Sequence, residues 1–364
     1  MKALIVAGEA SGDLYGSKLA LELQRRIPHF HPAGMGGSRM KEAGVELLFN
    51  HEAVSVVGIF EVFSKLLHIR EAYSRLKHWI LQQKPDFAVL IDFPDFNFRI
   101  ARLLKKQNIK VFYFISPQVW AWRKKRIFFL KDHVNLMICV LPFEVEMYEE
   151  AGVPVVYVGH PLVELVQEEL SRQTAPVRKG SPLVGIMPGS REVEVRRHLP
   201  ILIEAASLIR KQRDAETLLI WPPWLPSGKY GTREGIRLVC ENRYAAMQAC
   251  DLLIVASGTS TLEAAILGVP LLIVYRVGNI SWQLGKLLVR VPYYGLVNWI
   301  ARERKIPEFI QGRMLPPIVA AAALELLEND ERRLRMKSDL HQIVKSLGPP
   351  GAMGRAADAI LQRL

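Results

Sequence analysis

The sequence predicts an α/β protein of two Rossmann-like domains, each a parallel sheet covered by helices. Short continuous apolar runs recur along the chain, as suits strands buried on both faces of a parallel sheet. Helical patterns separate these runs, which reads as successive βαβ units. A polar stretch near the middle divides the series in two, and 364 residues suffice for about two domains at ~100 to 200 residues each.

In the first series the strand candidates are residues 3–7, 87–91, 111–115, 136–140 and 155–158, with helix candidates at 14–26, 97–106 and 143–151. Residues 59–80 carry an apolar stripe at Ile59, Val62, Leu66, Ile69, Tyr73, Leu76 and Ile80, the spacing of a core-facing helix. Phe60, Phe63 and Leu67 form a second apolar face beside Lys65, Arg70 and Lys77, which suits a membrane surface, acyl chains or burial against another element. The polar segment 164–182 reads as the interdomain connection. Strands then follow at 183–187, 217–220, 235–239, 252–255 and 271–275, with helices at 192–210, 259–267 and 282–289. Beyond Pro317 the pattern is helical to the end. The expected domains are 1–165, 183–345 and a final helix, 346–364, that packs back on the first domain. Facing domains of this kind bring the carboxyl ends of their strands to a shared cleft, where open α/β sheets bind ligands.

Composition removes several classes of protein. Half the residues are hydrophobic and 23% are charged, and the mean hydropathy is +0.11, too apolar for a disordered chain. The most apolar region, 252–275, is broken by Ser257, Thr259, Glu263 and Pro270, so any membrane contact is expected to be peripheral. The opening apolar run is interrupted by Glu9 and Asp13, which implies no export signal. A formal charge of +12 calls for an anionic partner: nucleic acid, acidic phospholipid or a phosphorylated metabolite. Cys139, Cys240 and Cys250 form no Cys-x-x-Cys pair, which suits buried thiols in a reducing compartment and argues against structural zinc.

The chemistry-bearing motifs fall just after predicted strands. Gly8-Glu9-Ala-Ser11-Gly12-Asp13 opens the first helix; its glycines permit tight turns, Ser11 or Asp13 can cap the helix, and its amides can hold an anion. Asp92 ends an apolar strand, a costly place for a carboxylate unless it is paired or working, and Asp95 and Asn97 follow in the turn, where helix capping explains Asn97. Asp92 is therefore the candidate general base. Ser116-Pro-Gln118-Val-Trp120-Ala-Trp-Arg123 runs into the basic cluster Arg123 to Arg126, a mixture that suits RNA or a lipid headgroup layer. Pro188-Gly-Ser190-Arg191 follows the first strand of the second series, and its guanidinium fork can hold phosphate oxygens. Ser257, Gly258, Thr259, Ser260 and Thr261 gather hydroxyls and amides at a helix start, the strongest diphosphate site in the chain, with Glu263 one turn on for ribose hydroxyls. No Walker loop, His-Glu-x-x-His, Gly-x-Ser-x-Gly, dinucleotide glycine pattern or Asp-x-Asp occurs.

Taken in order, Gly8 to Asp13, Ile91 to Asn97, Ser116 to Arg123, Leu141-Pro-Phe-Glu144, Gly159-His-Pro161, Pro188 to Arg191 and Ala256 to Glu263 resemble the lipid-A-disaccharide synthase family over nearly the whole chain. The resemblance implies a GT-B fold with an interdomain cleft. It implies an inverting transferase of glycosyltransferase family 19 that joins UDP-2,3-diacylglucosamine to 2,3-diacylglucosamine 1-phosphate, releasing UDP, at the cytoplasmic face of the Gram-negative inner membrane. It implies Asp92 and Arg191 as catalytic residues and a substrate site built from Glu9, Ser11, Gly12, Asp13, Asp95, Asn97, Gln118, Trp120, Ser190, Ser257 to Thr261, Glu263 and Asn298. No cofactor, metal or nucleic acid is expected, association with inner-membrane phospholipid is, and homodimerisation is left open. Between Ile220 and Gly235 the chain departs from the family pattern, with Trp221-Pro-Pro-Trp224-Leu-Pro-Ser in place of an expected helix. Two other readings are a UDP-N-acetylglucosamine 2-epimerase-like enzyme, which shares the architecture, and a basic RNA-binding protein.

Overall fold

The structure is a computed structural model that describes residues 1–51, 61–117, 119, 126–177, 180–222, 224–227, 235–279, 282–283 and 292–364, and for 61–66 the backbone alone. The chain forms two compact units, one of Met1–Pro161 with Pro349–Leu364 and one of Leu162–Gly348. The segment expected as a connection, 164–182, is thus partly helix, Leu162–Leu170, within the second unit.

In the first unit the strands are β1 Lys2–Ala7, β2 His31–Gly36, β3 Glu46–Asn50, β4 Phe87–Ile91, β5 Lys110–Phe114, β6 Leu136–Cys139 and β7 Val155–Tyr157. They form one parallel sheet in the order β3-β2-β1-β4-β5-β6-β7. β1 and β4 read as unbroken apolar runs because almost every residue in them is buried. Leu4, Val6, Leu90 and Tyr113 pack in one cluster with Ala72, Leu76 and Ile80 of the helix Glu61–Gln83 and with Ile100 and Leu104 of the helix Pro94–Lys106. The core stripe anticipated on 59–80 therefore holds at Leu76 and Ile80, while Leu67 of the second face is 65% exposed. Ile59, Phe60 and the side chains of Val62, Phe63 and Leu66 lie outside the described residues.

Sequence reading missed β2 and β3. His-Pro-Ala-Gly-Met-Gly lacks strand-forming residues, yet a Cβ on Gly34 would sit 1.8 Å from the Ile5 carbonyl oxygen, so contact with β1 requires glycine there. The final helix Ala352–Leu361 lies against the helix Ala10–Arg26. Arg26 Nε reaches Asp358 at 2.8 Å, and Arg355 Nε donates to the Val158 carbonyl at 2.8 Å. The tail is not wholly helical as expected: it breaks at Asn329 and between Gly348 and Gly351, both left-handed glycines.

The second unit holds β8 Leu183–Met187, β9 Glu216–Ile220, β10 Ile236–Val239, β11 Leu252–Ala256, β12 Leu271–Tyr275 and the unanticipated three-residue β13 Glu308–Ile310. These are parallel, in the order β10-β9-β8-β11-β12-β13. Most of the helix expected at 282–289 lies outside the described residues. Strand order reverses between β1 and β4 in one sheet and between β8 and β11 in the other. Connections leave a switch point on opposite sides, which opens a crevice at the carboxyl ends of the flanking strands. Among the described residues no helix is long and apolar enough to cross a membrane, and no three acidic, histidine or cysteine side chains gather to hold a metal ion.

Candidate active site

Each sheet places two of the singled-out motifs at its own switch point. In the first unit these are Gly8 to Asp13 after β1 and Asp92 to Asn97 after β4. Asp92 and Phe93 both have left-handed backbones, with φ of 44° and 47°. Non-glycine residues hold that conformation at a cost of order ~1–3 kcal/mol each, so their surroundings must enforce it. Two side chains do so through the Asp92 carbonyl: the Tyr113 hydroxyl donates to it at 2.6 Å and Asn97 Nδ2 at 2.7 Å. Asn97 Nδ2 also donates to the Ile91 carbonyl at 3.2 Å. The Asp92 amide in turn donates to the Phe114 carbonyl at 3.2 Å. The half-buried Asp92 side chain thus stands on a fixed turn at the carboxyl end of the central strand β4. Burial, reinforced by the Asp92 charge, pushes the Tyr113 hydroxyl well above its ordinary pKa, so it remains a donor.

Neighbouring side chains have structural duties. Asn97 is fully buried inside the helix Pro94–Lys106 and neither caps it nor reaches solvent. Its amide is spent on backbone, a different role from the substrate contact expected of it. The Asp13 carboxylate, 4% exposed, accepts from the amides of Gly37 at 2.6 Å, Met40 at 3.1 Å and Arg39 at 3.2 Å, holding the start of the helix Ser38–Glu42. Asp95 is exposed and ion-paired with Arg126. Gly12 is buried, with its ideal Cβ position 3.2 Å from Ala7 Cβ, so the helix start lies close on the end of β1. Glu9, the N-terminal flank of that helix, Ala10 and Ser11 are the exposed members of the motif. Gln118 and Trp120 lie outside the described residues, as do Arg123, Lys124 and Lys125 of the basic cluster.

At the second switch point Pro188 to Arg191 follows β8 and Ser257 to Thr261 follows β11. Gly189 is left-handed, and the Glu194 carboxylate accepts from the Ser190 amide at 3.0 Å and the Arg191 amide at 3.3 Å. The Arg191 side chain is 68% exposed, in a loose pair with Glu194 at 3.4 Å. In the other turn Ser257 Oγ donates to the Tyr294 carbonyl at 2.5 Å, and the Thr261 amide and hydroxyl both bond back to the Gly258 carbonyl. Thr259 is exposed, Ser260 half-buried, and a Cβ on Gly258 would meet nothing within 4 Å. A concavity here is lined by Gly189, Ser190, Pro222, Trp224, Arg243 and Ser260, among others.

Glu263, the expected ribose ligand, already has partners within the protein. It is 7% exposed, and its carboxylate takes an ion pair from Arg243 and a hydrogen bond from the Tyr244 hydroxyl at 3.1 Å. Asn298 is fully buried: it donates to the Ile306 carbonyl and to Glu308, and accepts from the Ile306 amide. Its amide shapes the loop before β13, a different role from the donor contact expected of it. Residues that sequence reading did not single out complete the frame. His198, fully buried, donates from Nδ1 to the Pro188 carbonyl at 2.7 Å and accepts at Nε2 from the Arg276 amide at 2.9 Å. Gln311 clamps both the amide and the carbonyl of Val277, at 3.0 and 2.9 Å. Neither carries a distinguishing signal in the sequence, for His198 follows Arg196 and Arg197 and Gln311 precedes Gly312 and Arg313.

Residues 3–361 match the lipid-A-disaccharide synthetase family. Lipid-A-disaccharide synthase of Nitrosococcus oceani is 41% identical over 359 residues, covering 94% of this chain and 92% of that protein. The Geobacter sulfurreducens protein of the same name is 39% identical over 373 residues, covering 100% and 97%. Among solved structures, UDP-GlcNAc 2-epimerase from Neisseria meningitidis bound to UDP-GlcNAc superposes with a TM-score of 0.68 at 14% identity, covering 100% and 99%. The glycotransferase of kitacinnamycin gives 0.69, also at 14% identity, covering 100% and 99%. At that distance the structures attest the two-sheet GT-B-type architecture alone, for transferases and epimerases share it. The sequence match separates them: over nearly its whole length, this chain belongs to the lipid-A-disaccharide synthetase family.

Proposed function

We propose that this chain condenses UDP-2,3-diacylglucosamine with 2,3-diacylglucosamine 1-phosphate to give lipid A disaccharide 1-phosphate and UDP. The observation that carries the reading is the family match over residues 3–361. Asp92 is the general base. It takes the proton of the acceptor's 6-hydroxyl as that oxygen attacks the donor's anomeric carbon, and the single displacement inverts an α-linked donor to a β-linked product. The donor diphosphate belongs to the second unit, where the turn at Ser257 to Thr261 and the exposed Arg191 guanidinium supply donors for the leaving charge. The net charge of +12 supports peripheral binding to acidic phospholipid at the cytoplasmic face of the inner membrane.

The test is a product assay with both acylated substrates in EDTA, following UDP and disaccharide by mass spectrometry. Acceptor-dependent disaccharide is expected. No UDP, even with magnesium and varied acyl chains, would reject the reading. Asp92→Asn should lower turnover ~10²- to 10⁴-fold, the range for a lost general base, with the fold intact; near-wild-type turnover would remove Asp92 from that role.

A further inference from the structure

Resting on the reading of the second unit as the UDP-sugar site, we infer that Trp224 is the stacking platform for the donor's uracil ring. It lies in the stretch after β9 that reads Trp221-Pro-Pro-Trp224, and the two tryptophans there have opposite fates. Trp221 is 1% exposed and anchors the segment by donating Nε1–H to the Leu225 carbonyl at 2.8 Å. Trp224 is 56% exposed, yet its orientation is fixed, because Nε1–H donates to the Ser190 carbonyl at 2.9 Å. Its polar edge is therefore occupied by the turn that carries Arg191, and its ring borders a concavity of mixed lining, Met187, Ile220, Pro222 and Ala256 beside Ser190 and Ser260.

An aromatic ring beside apolar groups and the Ser190 and Ser260 hydroxyls, next to the turn that carries the exposed Arg191 guanidinium, fits a planar heterocycle joined to an anion. Every base presents a π face, and stacking it on an aromatic side chain strengthens binding without hydrogen-bond readout.

The experiment compares the whole chain with Trp224→Ala and Trp224→Phe by calorimetric titration with UDP, with inorganic pyrophosphate and with UDP-2,3-diacylglucosamine. Trp224→Ala should weaken UDP ~10-fold, within the range for one stacked base, and leave pyrophosphate affinity unchanged. Trp224→Phe, which keeps a ring and loses the N–H, should stay within about threefold of wild type for UDP, since the face and not the hydrogen bond carries the effect. Unchanged UDP affinity in Trp224→Ala overturns the inference. An equal loss of pyrophosphate overturns it too, by showing that the residue acts through the Ser190 turn, and so does a loss confined to the acylated donor. A wild-type chain that binds no UDP removes the reading beneath it, a different failure from a variant that binds as well as wild type.

Discussion

Replacing Asn97 by Ala tests whether the turn that carries Asp92 is held by its neighbours. The substitution removes the Asn97 donations to the Asp92 and Ile91 carbonyls, at 2.7 and 3.2 Å. Each such bond contributes a net ~0.5–1.5 kcal/mol, and the Asp92 carbonyl keeps the Tyr113 hydroxyl, so a loss of ~2 kcal/mol is expected. For a unit of this size that lowers the melting temperature by about 4–8 °C. The same magnitude bears on function, because two consecutive left-handed residues store ~1–3 kcal/mol each and the lost bonds are of that order. Released from the clamp, Asp92 and Phe93 relax toward ordinary backbone angles and the carboxylate moves off its aim, where a shift of about 1 Å can cost ~10²-fold in rate. Turnover should therefore fall ~10- to 100-fold. The donor KM should hold, since the donor turns are in the other unit. Asn97 bonds to backbone carbonyls and not to the carboxylate, so the acid limb of the pH–rate profile should stay in place. Steady-state kinetics across pH, paired with thermal unfolding, measures all three. Wild-type turnover in a variant that melts several degrees lower would refute the reasoning, because the turn would then hold without its clamp.

Gly8→Ala would place a Cβ 2.2 Å from Phe93 Cγ, and the crowding should cost ~1–3 kcal/mol and disturb Asp92 through its neighbour. Adding Phe93→Ala should restore part of the lost melting temperature, and a double variant no more stable than Gly8→Ala would show that the ring is not the obstacle. His160 gives a pH signature. Burial lowers its pKa to about 4 from an ordinary 6.5, so between those values the unfolded chain binds a proton that the folded chain refuses. Stability should be complete above pH 6.5 and fall as pH drops toward 4, by up to about 3 kcal/mol. Denaturant titrations of wild type and His160→Gln from pH 7 to 4 should diverge in that sense, and parallel curves would count against it.

Strands buried on both faces were legible because burial writes itself as an apolar run: β4 and β11 are buried at every position. β2 was not, because its neighbours dictate its composition: Gly34 yields space to the Ile5 carbonyl and Gly36 to Met40. The switch-point motifs were legible because glycines and hydroxyls gather directly after a buried strand only where the backbone must turn tightly or meet an anion. What each polar residue there touches was not. Asp13 is answered by amides 24 to 27 residues away, Glu263 by Arg243 and Tyr244 twenty and nineteen residues earlier, and Asn298 by the backbone of Ile306. Sequence spacing carries no record of such partners, and a carboxylate or amide in a motif looks the same whether it faces substrate or main chain.

That shared appearance has a physical origin. A loop leaving a parallel strand at a switch point loses its ladder partners, and its amides and carbonyls must be satisfied by something. If water did it, each would have to be displaced or tolerated when a ligand binds. Here side chains do it: Asn97 for Ile91 and Asp92, and Glu194 for the amides of Ser190 and Arg191; away from the switch points Gln311 does the same for both polar groups of Val277 and Glu308 for the amides of Tyr294 and Gly295. Loops fixed in this way keep their shape before substrate arrives, the condition under which oriented donors stabilise developing charge without reorganising. Loss of activity on changing Asn97, Asn298 or Glu263 therefore tests the frame. Ligand contact is tested at Asp92 and at exposed members of the motifs such as Ser11, Arg191, Thr259 and the indole of Trp224, where binding and turnover can change while the melting temperature does not.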